Sequence, residues 1–139
     1  MTRLVYAAAA VLVILGLSVG SVIAQAKYVA PIKGVADIQL LPIKPEPDYK
    51  AKVLRTIIKV KNISPTGSIA GLKVTQYWYD RANSPQPVAA VTARIKKPLQ
   101  PGEEATMTLE APLDPKMFRD QYVFEHANGK VKPKQVKKF

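Results

Sequence analysis

The chain has 139 residues, of which 21 are lysine or arginine and 10 are aspartate or glutamate, giving a formal net charge of +11 at pH 7. This length supports one hydrophobic core and is too short for two substantial ones, so we expect a single domain. The absence of cysteine excludes disulfides, thiol catalysis and cysteine-ligated metal sites. The positive charge predicts attraction to anionic material, unless it serves solubility alone.

Residues 1–26 have the composition of a signal peptide. Arg3 precedes an uncharged apolar run over residues 4–24, and the small residues Ala24 and Ala26 end it. We therefore expect cleavage after Ala26 and a periplasmic or secreted protein of net charge +10, because only Arg3 is lost among the charges. The alternative is an anchor in the inner membrane formed by residues 4–24, since the run approaches the roughly 20 residues that cross a bilayer.

Residues 27–50 are rich in proline and predict an extended arm. Pro31, Pro42, Pro45 and Pro47 are incompatible with a helix and interrupt strand pairing. We expect at most one edge strand, within residues 35–41. The arm either lies along the domain or adds as a strand to the sheet of a neighbouring copy, which would make the protein a homo-oligomer.

Alternation of apolar and polar residues predicts strands at 52–63, 72–80, 88–95 and 105–111, separated by turns that contain proline or glycine. On the second strand Trp78 is expected to face the core. Residues 121–126 and 130–136 flank Asn128-Gly129, a dipeptide typical of a type I′ hairpin turn. Short strands without a convincing helix predict an all-β domain, a single antiparallel β-sandwich over residues 51–139.

Two stretches carry a family resemblance. One runs from residue 58 through residue 74 to Tyr79-Asp80, and the other is the turn at residues 98–103, which leads into the strand at Ala105. Together they resemble the bacterial immunoglobulin-like domains of the FxLYD type and their exported relatives. The resemblance implies an immunoglobulin-like sandwich of envelope and secreted proteins, without catalytic residues.

The sequence offers few candidates for catalysis. His126 is the only histidine, and no serine occurs in a Gly-x-Ser-x-Gly context, so we expect an exposed turn residue rather than a catalytic base. The glycines are scattered and do not form a phosphate-binding loop, and the alternating acidic ligands of a calcium loop are missing. We therefore predict no enzymatic activity, no cofactor and no metal.

Two groups of residues are candidates for binding a partner. Lys73, Tyr77 and Tyr79 share the outward face of their strand, unless another element covers them. The other group is a basic C-terminal tail that contains Lys130, Lys132, Lys134, Lys137 and Lys138. The expected partner is an envelope protein or an anionic envelope polymer or lipid. Nucleic acid is disfavoured because the tail lacks interleaved aromatic residues.

Overall fold

A computed structural model describes residues 28–82 and 84–139; the predicted signal peptide lies outside these residues. They form eight strands and no helix, so they include no apolar helix of membrane-spanning length. In chain order the strands are β1 (Ala36–Leu40), β2 (Glu46–Asp48), β3 (Val53–Asn62), β4 (Lys73–Tyr79), β5 (Ala89–Arg94), β6 (Glu104–Pro112), β7 (Arg119–His126) and β8 (Gly129–Gln135).

The strands belong to one curled, mixed sheet. Within the sheet, hydrogen-bonded strands follow the order β2-β3-β1-β8-β7-β4-β5, and β6 pairs with β3. All pairs are antiparallel except β1 with β8, which run parallel with Ala36 opposite Val131 and Leu40 opposite Gln135. The prediction of an all-β domain is confirmed. The sheet as a whole is mixed and not wholly antiparallel, because β1, which precedes the predicted sandwich of residues 51–139, runs parallel to β8.

The strands predicted from alternation are confirmed as β3, β4, β5 and β6. Along β3 the side chains of Thr56, Ile58 and Val60 are buried, whereas Ile57 and Lys59 between them are exposed. This period of two places one face of the curled sheet on the core. The buried apolar residues of this core are Ala36, Ile38, Leu40, Ile58, Val60, Ile69, Leu72, Val74, Leu99, Met107, Leu109 and Phe124. Trp78 is buried as predicted.

Asn62 organises the turn that follows β3. Its side chain is fully buried, and its Nδ2 donates to the carbonyl oxygens of Gly67 and Leu99 at 2.9 and 3.0 Å. Its Oδ1 accepts from the backbone N–H of Ser64 at 2.9 Å. A polar group that is buried in this way is tolerated because its hydrogen-bonding capacity is used. The loop at residues 62–68 is therefore fixed to the loop that precedes β6.

The proline-rich segment enters the sheet more deeply than the sequence predicts. β1 is antiparallel to β3 on one side and parallel to β8 on the other, so it is an interior strand and not an edge strand. Ile38 and Leu40 of β1 are core residues. The prolines are accommodated because they lie on either side of β1, and Pro47 lies in the short edge strand β2.

The predicted C-terminal hairpin is confirmed, with its turn displaced by one residue. Glu125 pairs with Lys130 and His126 with Gly129, so the two central residues are Ala127 and Asn128. Gly129 is the residue with positive φ, at 152°. After these two pairs β8 leaves β7 and continues along β1, so residues 130–135 of the expected tail are part of a strand.

Candidate functional site

The lysines of β8 lie on its outward face. Val131 packs against the core, so Lys130, Lys132 and Lys134 point away from it, and all three are exposed. Lys137 and Lys138 follow the strand and are also exposed. The structure thus gives the first three lysines a fixed spacing along a strand.

Two lysines of β3 extend this positive surface across the sheet. Ile58 and Val60 are buried, so Lys59 and Lys61 face outward. Gln39 of β1 is in register with Lys61 on one side and with Lys134 on the other, and it joins the two strands in one lateral row. We call this surface the basic face and define it by its outward lysines: Lys59, Lys61, Lys130, Lys132 and Lys134.

The charges of the basic face are not neutralised within the described residues. The ion pairs in the described residues are those of Arg55 with Asp48 and with Glu110, at 3.3 and 3.0 Å, and of Lys73 with Glu125 at 2.8 Å. None of them includes a lysine of the basic face. Lys132 and Lys61 have acidic residues in register on a neighbouring strand, Asp37 and Glu104 respectively, but neither pair comes within ion-pair distance. Lys130 is in register with a third carboxylate, that of Glu125, whose ion pair is with Lys73. Five lysines therefore share a face with three carboxylates, none of which forms an ion pair with them.

The structure places Lys73, Tyr77 and Tyr79 together on the outward face of β4, as predicted, and each is half-buried. The ammonium group of Lys73 is bound to Glu125. That hydrogen bond, with the positive charge of Lys73, lowers the pKa of Glu125. Lys73 is thus already occupied, and the tyrosines are the members of this group that remain for contact with a partner.

Arginines stack on the aromatic rings at the far end of β4. The Cζ atom of Arg119 lies 5.3 Å from the centroid of the Tyr79 ring, and that of Arg81 lies 4.3 Å from the centroid of Phe118. Both distances are in the range of cation–π contacts. Phe118 is 55% exposed and adds apolar surface beside Tyr79, to which its backbone N–H is hydrogen-bonded.

The basic face and the tyrosines do not form one compact site, but β7 lies between β8 and β4 and connects them. Lys130 is in register with Glu125, which is in register with Lys73 of β4. The tyrosines lie farther along β4, away from this junction. Lys59 and Lys61 are not among the residues predicted to bind a partner, although their alternation with Ile58 and Val60 places both of them on the polar face of a half-buried strand.

His126 is buried, and its prediction as an exposed turn residue is wrong. It is 7% exposed, and its Nε2 lies 2.6 Å from the carbonyl oxygen of Gly34. Since a carbonyl only accepts, Nε2 carries the proton, and Nδ1 accepts from the backbone N–H of Asn128 at 3.3 Å. The imidazole thus anchors the segment before β1 to the β7–β8 turn.

A groove of about 750 Å³ lies beside the basic face. It is lined by outward residues of β3, among them Ile57 and Lys59, and by residues 41, 42, 44 and 46–49 of the segment that leads from β1 through β2. No group of three or more histidine or acidic residues is arranged to hold a metal ion in residues 28–82 and 84–139.

Comparison with known proteins assigns no family to the chain. No protein-family model matches the sequence, and no curated protein is similar to it. Among solved structures, IrmA from Escherichia coli is similar in backbone arrangement, with 9% sequence identity and a TM-score of 0.49. The alignment covers 70% of this chain and 91% of IrmA.

Proposed function

We propose that this protein is an exported, non-enzymatic binding module of the bacterial cell envelope, and that its basic face binds an anionic polymer. The observation that carries the proposal is the set of outward lysines on β8 and β3, which are aligned by strand register and left without ion pairs in the described residues. Charges of one sign that are held on a rigid strand attract a polyanion without further ordering of the backbone.

Several features support a binding role for these lysines over simple solubility. Solubility requires dispersed charge, whereas these five lysines follow adjoining strands of one sheet face. Successive lysines on β8 are two positions apart along an extended strand, about 6.6 Å. This regular spacing is suited to the repeated phosphates or carboxylates of a polymer.

The export and the location in the envelope are proposed from residues 1–26, whose charged start, apolar run and small-residue end are typical of a signal peptide. An immunoglobulin-like fold of the FxLYD type belongs to the same proposal. It is supported by the all-β architecture and by the resemblance of residues 58–80 and 98–105. Oligomerisation by strand addition through the arm has less support, because β1 already has a partner strand on each side.

The proposal is tested by replacing Lys61, Lys132 and Lys134 with glutamine in the protein purified after expression of the full chain. Binding to polyphosphate and to polyglutamate is measured by fluorescence anisotropy over a range of salt concentrations. By analogy with nucleic acids, we expect weaker binding and a log–log salt slope that is smaller by roughly two to three, because up to three counterion-releasing contacts are lost. Deleting residues 130–139 would be a poorer test, since it removes β8 from the sheet.

The matched control replaces Lys96, Lys97 and Lys116 with glutamine. These three exposed lysines lie outside the strands, so this variant has the same net charge as the first without a change to the basic face. If both variants lose binding equally, only net charge matters and a defined binding face is excluded. Binding that is undetectable in the unmodified protein, or that persists at high salt, would also contradict the proposal.

A further inference from the structure

The groove beside the basic face combines exposed apolar side chains with positive charge. Ile57 is 50% exposed in the middle of β3, and Tyr49, the residue directly after β2, is 76% exposed. Leu41, Pro42 and Pro47 also line the groove. Exposed apolar residues that gather in one concave place, unlike scattered ones, are typical of a site that contacts a ligand.

Some of the charged side chains at the groove form ion pairs, and others do not. Arg55 binds Asp48 and Glu110, and the backbone N–H of Ala51 together with Arg55 lowers the pKa of Asp48. Lys44 and Lys59 line the same groove and form no ion pair within residues 28–82 and 84–139, while Glu46 is the one lining carboxylate without an ion pair there. The charge that remains available is therefore positive.

The groove is continuous with the basic face through Lys59, which belongs to both. Lys61 is the next outward residue of β3 and is in register with Gln39, which is in register with Lys134. A ligand in the groove thus has an apolar surface at Ile57 and an unpaired ammonium group two residues along the same strand. A polymer that carries only charge would leave the apolar part of the groove in contact with water.

We propose that the groove holds the hydrocarbon chain of an anionic amphiphile, while its phosphate or carboxylate headgroup is bound by Lys59 and the adjoining lysines. This inference rests on the proposed function and narrows its partner class. The charge of the headgroup complements the lysines, and the chain complements Ile57, Tyr49 and the neighbouring leucine and prolines. The volume of about 750 Å³ is within the roughly 300–1,000 Å³ of small-molecule sites.

The test compares butyl phosphate with octyl phosphate by isothermal titration calorimetry. The two ligands share a headgroup and differ only in chain length, and each methylene that becomes buried strengthens binding by up to about fourfold. We expect octyl phosphate to bind at least about tenfold more tightly than butyl phosphate. Ile57→Ser is expected to remove most of this difference, while polyphosphate binding stays unchanged.

Two variants separate the contributions of the chain and the headgroup. Lys59→Gln is expected to weaken octyl phosphate and polyphosphate together, because its ammonium group serves both. Thr108→Ser is the control, since Thr108 is the exposed cross-strand neighbour of Ile57 on β6 and does not line the groove. It should leave the binding of both ligands intact.

The outcomes distinguish this inference from the proposed function. If polyphosphate binds through the lysines and the two alkyl phosphates bind equally, the amphiphile is excluded and the polymer-binding module stands. If octyl phosphate binds more tightly but Ile57→Ser has no effect, the chain lies elsewhere and the groove assignment is wrong. If lysine replacement affects none of the ligands, both proposals fail.

Discussion

Gln76 of β4 donates a hydrogen bond from its Nε2 to the Oγ1 of Thr56 in β3 at 3.0 Å, which joins two strands that are not neighbours in the sheet. The same Nε2 donates to the hydroxyl of Tyr122, also at 3.0 Å, and that hydroxyl donates to Asp120. Gln76 and Thr56 are fully buried. The curled sheet is thus fastened across its interior by a polar cluster of four side chains.

The hydrogen bond between Gln76 and Thr56 should be measurable as a coupling energy. Thr56→Val keeps the shape of the side chain and removes the acceptor, and we expect it to cost about 1–2 kcal/mol of unfolding free energy. Because the double variant with Gln76→Leu loses the same bond only once, its cost should be smaller than the sum by about 0.5–1.5 kcal/mol. Urea denaturation of the four proteins checks this, and additive costs would show that the contact contributes nothing.

Tyr122 should make stability depend on pH in alkaline solution. Burial, followed by the hydrogen bond to Asp120 and its negative charge, raises the pKa of Tyr122 well above its ordinary value of 10.0. The folded protein therefore keeps a proton that the unfolded chain releases. The contribution of Tyr122 to the free energy of unfolding is complete below the pKa of the tyrosine in the unfolded chain. It is lost as the pH rises from there through the pKa in the folded protein.

Tyr122→Phe provides the comparison, because it lacks the titrating hydroxyl and retains the ring. We expect the difference in unfolding free energy between the two proteins to be constant below pH 9 and to shrink as the pH rises above about 10. Denaturant titrations at a series of pH values measure it. A difference that stays constant throughout would show that the tyrosine titrates alike in both states.

Gly129 should tolerate no side chain, in contrast to Gly102. A Cβ on Gly129 would come closer than 3.0 Å to the carbonyl carbon and oxygen of Gly34, whereas one on Gly102 would meet no atom within 4 Å. Both residues have positive φ, so Gly102→Ala measures the backbone strain alone, about 1–2 kcal/mol. We expect Gly129→Ala to cost at least about 2 kcal/mol more in thermal or urea unfolding, and equal costs would contradict the close approach.

His126 should control access to the segment before β1. His126→Ala removes the donor to Gly34 and the acceptor for Asn128, so we expect a loss of about 1–3 kcal/mol and faster tryptic cleavage after Lys33. His126→Gln retains a donor of similar reach and should restore part of the protection. Cleavage that is equally slow in all three proteins would mean that the segment is held by its other contacts.

The N-terminus is expected to begin at Lys27 when the full chain is expressed in a bacterium with a general secretion pathway. The intact mass and the N-terminal sequence of the protein from the periplasm or medium determine this. Ala26→Arg should block cleavage and leave the protein with the membrane fraction, because signal peptidase requires a small residue there. Recovery of the unmodified protein with residues 1–26 attached would support the anchor instead.

The local pattern was sufficient for part of the fold. β3 and β6 were predicted with their faces because apolar residues alternate cleanly there, as in Met107, Leu109 and Ala111. The parallel pairing of β1 with β8 could not be predicted, since the two strands lie at opposite ends of the domain sequence. Pro133 and the lysines give β8 the composition of a solvated tail, and only its partner strands make it part of the sheet.

The candidate site, like the fold, could be predicted only in part from the local sequence. The outward positions of Lys73, Tyr77 and Tyr79 follow from alternation on β4, and the sequence predicted them. The row that joins Lys61 to Lys134 depends on Gln39 between them, and this proximity arises from strand register across distant segments. His126 was misjudged because its partner, Gly34, precedes β1 and no local pattern connects the two.

The pairing of β1 between β3 and β8 also has a consequence for folding, because the completed neighbourhood of β1 needs a strand that is distant in sequence. β8 follows the other seven described strands in the chain, and until it is present β1 has only its pairing with β3. Contacts of such long sequence separation slow folding, because the entropy of closing a long loop is lost before the contact forms. A chain that emerges with its N-terminus first would thus leave one edge of β1 without a partner strand until residues 131–135 are available, although β3, β6, β4, β5 and β7 can already pair.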